Sequence, residues 1–99
     1  MLENNFQPPY FAVIFSSKLS DNTAGYDRMS KKMNELAKKQ PGFLGIETAR
    51  SELGITVSYW KSLESIEKWR ANTQHQEAIS KGIKQWYSDF SVRVCKVLR

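Results

Sequence analysis

At 99 residues the chain has room for one hydrophobic core and not for a second domain. Its 40% hydrophobic, 12% aromatic and 25% charged residues belong to a folded globular protein and exclude the disordered and low-complexity classes. The net charge of +5 is interleaved with acids, Lys31, Lys32, Lys38 and Lys39 sharing one segment with Asp27 and Glu35, which reads as a solvated face and not as a nucleic-acid surface.

Residues 1–9, ending in Pro8-Pro9, read as an extended arm, because proline fixes its own φ and biases its predecessor away from the helix. This segment lacks the basic and apolar regions of a secretory signal, and no run approaches the ~20 apolar residues of a membrane span. Cys95 is the only cysteine. The expectation is a cytoplasmic protein with no membrane contact, no disulfide within the chain and no cysteine-built metal site.

A single domain is expected over residues 10–99. YFAVIFSS is short, β-branched and aromatic, and apolar on both alternating faces, as suits a strand buried on two sides. From Tyr26 to Lys39 an amphipathic helix is predicted, with Tyr26, Met29, Met33, Leu36 and Ala37 on one stripe. Pro41-Gly42 ends it, since proline cannot continue the helix and glycine tolerates the reversal. FLGIETARS and GITVSYW follow as two strands about a turn at Glu52 to Gly54, adjacent and therefore antiparallel. Ser62 caps a helix carrying Leu63, Ile66 and Trp69 on one face. Thr73 opens another, Gln76 completing a Thr-x-x-Gln capping box, with His75, Ala78, Ile79, Gly82, Ile83 and Trp86 at helical spacing. FSVRVCKV closes the chain as a fourth strand.

The order β-α-β-β-α-α-β predicts an α+β, ferredoxin-like domain, a four-stranded antiparallel sheet with helices on one face. Strands one and three are apolar on both sides: Phe11, Val13 and Phe15 oppose Tyr10, Ala12 and Ile14, and Ile55, Val57 and Tyr59 oppose Trp60. The face without helices needs a cover. A second copy packed about a twofold axis supplies one, so a homodimer is expected.

Through PPYFAVIFSS, QPGFLGIETAR, GITVSYWKSLESIEKW, the H-x-x-A spacing and QWYSDFSVRVCKV, the sequence resembles the antibiotic-biosynthesis monooxygenase family of the dimeric α+β barrel superfamily. The resemblance implies a dimeric α+β barrel and, as in the quinone-forming members, oxygenation of a small aromatic or polycyclic substrate without a cofactor. Those members place a polar residue ahead of a Trp near the end of strand three, to which Thr56 and Trp60 are a partial counterpart. The haem-degrading members place an Asn on strand one with a Trp and a His on the later helices. Trp69 and His75 resemble that pair, but strand one offers Ser16 or Ser17 and no Asn, so haem degradation is not expected.

His75 is the one imidazole and lies in the first turn of its helix, whose positive end disfavours imidazolium. A neutral ring can take a proton from a phenolic substrate, which makes His75 the candidate catalytic base. Packed at a helix junction, the same residue would be a structural hydrogen-bonding group. Trp60, Trp69, Trp86, Tyr59 and Phe15 are candidates to line a flat pocket for a small hydrophobic or aromatic ligand, and equally suited to filling a core. The function expected is a cofactor-independent monooxygenase. The alternative is a non-catalytic dimeric module that binds a small ligand or haem. No cofactor or metal is called for, since Gly-rich nucleotide loops and His-x-x-x-His spacing are absent from the sequence.

Overall fold

A computed structural model describes residues 6–99, and the first five residues of the expected arm lie outside the described residues. In chain order the elements are β1 (Tyr10–Leu19), α1 (Tyr26–Lys38), β2 (Phe43–Arg50), β3 (Gly54–Trp60), α2 (Leu63–Arg70), α3 (Thr73–Lys81) and β4 (Tyr87–Val97). A π-helical turn, Gly82–Trp86, joins α3 to β4. The strands form one antiparallel sheet in the order β2-β3-β1-β4, the α+β ferredoxin-like arrangement that the element order implies.

The core lies where α1 and α2 cover the sheet. Ala37 of α1, Ile66 and Trp69 of α2 and Trp60 of β3 form its buried centre, with Phe11, Val13, Met33, Leu36 and Phe43 packed around them. Trp60 is fully buried, and its indole N–H donates to the Ser58 hydroxyl at 2.9 Å, so burial leaves no donor unpaired. Truncating such a side chain to alanine costs about 3–5 kcal/mol. That is a large part of the ~5–15 kcal/mol by which a small domain is stable. Because Phe11 and Val13 face the helices, the pleat turns Tyr10, Ala12 and Ile14 to the other side, beside Tyr59 and Val57. Phe6 of the arm packs on that side, its ring 5.4 Å from Tyr10 and 5.9 Å from Tyr59.

Local chemistry sets the element ends. The Ser62 hydroxyl accepts from the Ser65 N–H at 3.1 Å, the expected cap of α2. Gly42 has φ +81°, and a Cβ there would lie 2.6 Å from Ser65 Cβ, so the reversal after α1 requires glycine twice over. At α3 the expected capping box gives way to a different cap. Asn72 Oδ1 accepts from the His75 N–H at 3.1 Å, while the Gln76 carboxamide turns to the Arg70 carbonyl. The cap moves one residue upstream, so the Asn72 side chain serves the His75 N–H where the expected box had Thr73 serving that of Gln76. The fourth strand also starts earlier than expected, at Tyr87, since the helical pattern ends in the π turn instead of running on.

β4 is an edge strand, and its apolar residues stay open. Val92 and Val94 pair with Phe15 and Val13, which puts them on the helix-bearing face, yet they are 55% and 51% exposed. On the opposite face Ile55 is 41% exposed. Among the described residues, no helix is long and apolar enough to cross a membrane.

Candidate functional site

The structure distributes the six candidate residues over three places. Three of them form a ladder of rings at one end of the helix-bearing face. Phe43 meets Trp60 edge-on at 5.5 Å, Trp60 stacks on Trp69 at 6.2 Å, and Trp69 stacks on His75 at 4.1 Å with 12° between the planes. Trp69 comes from the last turn of α2 and His75 from the first turn of α3, so the short α2–α3 junction stacks them. His75 Nδ1 lies 3.0 Å from the Trp69 carbonyl oxygen. A carbonyl can only accept, so Nδ1 carries the proton of the neutral ring and Nε2 holds the lone pair. Burial lowers the His75 pKa from its ordinary 6.5, outweighing the opposite pull of the Trp69 carbonyl. The ring is thereby held in one tautomer, neutral, with a basic Nε2: the oriented partner that no spacing in the sequence reveals.

Phe15 and Trp86 belong to a second cluster. Phe15 is four residues along β1 from Phe11, the partner of Trp60, which at ~3.3 Å per residue separates it from the ladder by roughly 13 Å. The Phe15 ring meets Tyr87 at 5.2 Å, and Tyr26 meets Trp86 at 5.7 Å and Tyr87 at 6.0 Å, all edge-to-face. The Trp86 indole N–H donates to the Ala24 carbonyl at 2.9 Å, tying the π turn to the start of α1. Gly82 is part of this packing, because a Cβ there would lie 2.8 Å from Cδ2 of Tyr87.

A polar network that no sequence motif announced runs through the same cluster. The Arg50 guanidinium donates to the Ser17 carbonyl at 3.2 Å, to the Ser17 hydroxyl at 2.5 Å and to the Tyr26 hydroxyl at 3.2 Å. Ser17 is almost fully buried, and the charged donor satisfies it. Burial, with Tyr26 adding to it and the Arg50 charge opposing, pushes the Tyr87 phenol up to about 12. These groups satisfy one another and pin the end of β2 to β1 and to the first turn of α1. The one signal in the sequence was a pair of serines ending an otherwise apolar strand.

Tyr59 is brought to neither cluster. It follows the pleat to the opposite face, where its ring meets Tyr10 at 5.8 Å. Burial, then the neighbouring Glu47, pushes its phenol up to about 12. Among the described residues no group of three or more His, Cys, Asp or Glu is placed to hold a metal ion.

Comparison with known proteins places this geometry. The family model for monooxygenase af470-like proteins matches residues 13–94. The chain belongs to that family. YqjZ of Bacillus subtilis (strain 168), an uncharacterized protein, is 52% identical over 95 residues, covering 94% of this chain and 83% of its own. Among solved structures, Rv0793 of Mycobacterium tuberculosis superposes with a TM-score of 0.81 at 13% identity, over 91% of this chain and 96% of that one. SnoaB of Streptomyces nogalater, a cofactor-independent oxygenase, gives a TM-score of 0.78 at 8% identity, over 91% of this chain and 94% of its own. A Nitrosomonas europaea protein described as an antibiotic biosynthesis monooxygenase gives 0.75 at 12% identity, over 96% of both chains. At such identities the structural likenesses establish the shared fold, and the family match carries the assignment to monooxygenase-like proteins.

Proposed function

We propose that this family member is a monooxygenase that works without a bound cofactor on a small aromatic or polycyclic phenol, with His75 as its general base. The observation that carries the reading is the contact between His75 Nδ1 and the Trp69 carbonyl at 3.0 Å, because it leaves Nε2 as the proton acceptor of a ring that burial keeps neutral. Nε2 takes the phenol O–H proton, and the phenolate so formed carries carbanion character at the ring carbon para to the oxygen, which keeps its hydrogen. This carbanion gives an electron to dioxygen, recombination yields a hydroperoxide at that carbon, and loss of water leaves a carbonyl. One oxygen atom enters the product and the other leaves as water, so no external reductant is required. The protein supplies the base and an apolar surface that keeps water from the carbanion, for which the Trp69 indole stacked on the imidazole is the adjoining aromatic face.

The working unit in this reading is a homodimer, supported by apolar side chains left open on β4 and on the face away from the helices. A second reading, a non-catalytic module binding a small hydrophobic ligand or haem, is favoured by one observation: the His75 ring lies flat against Trp69, as in a closed structural stack. Oxygen uptake by the purified protein across a panel of polycyclic phenols decides between them. Uptake that rises with pH through the His75 pKa supports the base. Saturable binding of the same phenols with no uptake at any pH supports the module.

A further inference from the structure

Between the first half of α1 and the π turn lies a groove of about 260 Å3, apart from the His75 ladder. Arg28 and Lys32 line it from α1, Lys81 and Gln85 from the end of α3 and the π turn, and Met29 adds apolar surface over the largely buried Trp86. None of its lining residues is acidic. Each lysine has a carboxylate one helical turn away, Glu35 three residues after Lys32 and Glu77 four residues before Lys81, spacings at which ion pairs form readily. Neither pair is made. Glu35 binds Lys38 instead, and the ion pairs among the described residues are Lys38–Glu35, Lys68–Glu64 and Arg70–Glu67. Three cations from two elements therefore border one concave surface with no acid lining it and, among the described residues, no ion pair to either lysine. Such a groove raises the local concentration of anions.

We propose that this groove binds a small aromatic anion, its carboxylate or phosphate head held by Arg28, Lys32 and Lys81 and its ring laid against Met29. A pocket of about 260 Å3 falls below the ~300–1,000 Å3 of drug-sized ligand sites, so the ligand carries one ring and not several. The guanidinium suits a planar oxyanion, and the lysines add charge without fixing geometry. This site goes beyond the monooxygenase reading and does not depend on it.

The test is a titration of the full-length protein followed by backbone amide chemical shifts, with benzoate and phenyl phosphate as probes, benzyl alcohol as the neutral control and inorganic phosphate as the ringless one. Benzoate and phenyl phosphate should saturate, with shifts centred on residues of α1 and the π turn, and bind at least about tenfold tighter than either control. Arg28→Gln with Lys81→Gln, both at exposed positions, should weaken the aromatic anions about tenfold or more. Lys31→Gln with Lys39→Gln removes the same charge without touching the groove and should change affinity less than about twofold. Equal weakening by both double variants would reduce the effect to net charge and overturn the proposal. So would failure of both aromatic anions to saturate by about 10 mM, or controls that bind as tightly as the probes.

Discussion

His75→Phe separates the base from the building block, because phenylalanine keeps the stack and loses the proton acceptor. The imidazole approaches the Trp69 ring to 4.1 Å at 12°, and a flat phenyl preserves most of a pair contributing about 0.5–1.5 kcal/mol. What is lost is the hydrogen bond from Nδ1 to the Trp69 carbonyl. That carbonyl also accepts from the Asn72 N–H at 3.1 Å, so it is not orphaned, and the loss is one net bond of about 0.5–1.5 kcal/mol. At roughly 4–8 °C per kcal/mol for a domain of this size, the melting point should fall by several degrees and no more. His75→Ala forfeits the stack as well and should cost about 1–3 kcal/mol. If Nε2 is the base, turnover in His75→Phe should fall by about 10²–10⁴, an effect on the barrier larger than the effect on folding. The sign of the pH dependence follows from the lowered pKa. As pH falls, the unfolded chain takes up the proton first, so the stability tied to the neutral ring is complete above the ordinary value of 6.5 and is lost as pH drops from there toward the folded value. Wild-type melting should therefore decline across that acid window by an increment that His75→Phe lacks, while wild-type oxygen uptake rises with pH over the same range. Melting and oxygen consumption are read on the same samples. A His75→Phe protein that consumes oxygen at the wild-type rate would refute the catalytic assignment.

Gly82→Ala would favour a helix by up to ~1 kcal/mol, but its Cβ would crowd a Tyr87 ring already bordered by Phe15 and Tyr26. Overpacking of about 1–3 kcal/mol should outweigh that gain. Denaturant titration should show a loss that Tyr87→Leu in the same chain relieves, and an unconditional gain would contradict the packing. Val94→Asp and Ile55→Asp alter side chains that are about half exposed in the single chain, so in a monomer each should shift stability by less than ~0.5 kcal/mol. In a homodimer either should lower the light-scattering mass from two chains to one, and a wild type that is monomeric at micromolar concentration ends the dimer reading. Tyr59 and Tyr87, both pushed up to about 12, should remain largely un-ionised when tyrosinate absorbance is followed to around pH 11. Tyr87→Phe should remove one late-titrating group, and an unchanged curve would mean that the ring is not enclosed.

The sheet and its helices were legible because each depends on local pattern. The stripe of Met29, Met33, Leu36 and Ala37 and the Pro41-Gly42 stop fix α1 within a residue of its observed end. Strand alternation also contained a warning about the site. Tyr59 and Trp60 are consecutive in β3 and must point to opposite faces, so they cannot line one pocket from one sheet. The Arg50 network could not be read in one dimension, since its partners Ser17 and Tyr26 are 33 and 24 residues away and meet only through the β1–β3–β2 register. The oriented His75 was half legible. Helix spacing placed it in the first turn of α3, but its carbonyl partner belongs to α2, and the angle between two short helices is a tertiary quantity. The π turn left one trace, a glycine in a helical pattern where alanine would be favoured, and Tyr87 supplies the reason for it.

The position of the proposed base on α3 bears on access, because the two later helices are held unevenly. α2 buries Ile66 and Trp69 in the core, whereas α3 has no buried side chain. α3 is attached chiefly at its ends, through the Asn72 cap and the His75–Trp69 contacts at one and the tightly packed Gly82 and Trp86 at the other. A segment with few buried apolar contacts opens at lower free energy than the core. In the proposed reading Trp69 stays fixed as a rigid aromatic face, and the looser α3 is what would let His75 move to admit a flat ring. In that reading a closed ladder is compatible with catalysis: the Trp69 carbonyl sets the tautomer of the imidazole, burial lowers its pKa, and the weak attachment of α3 would give access to Nε2.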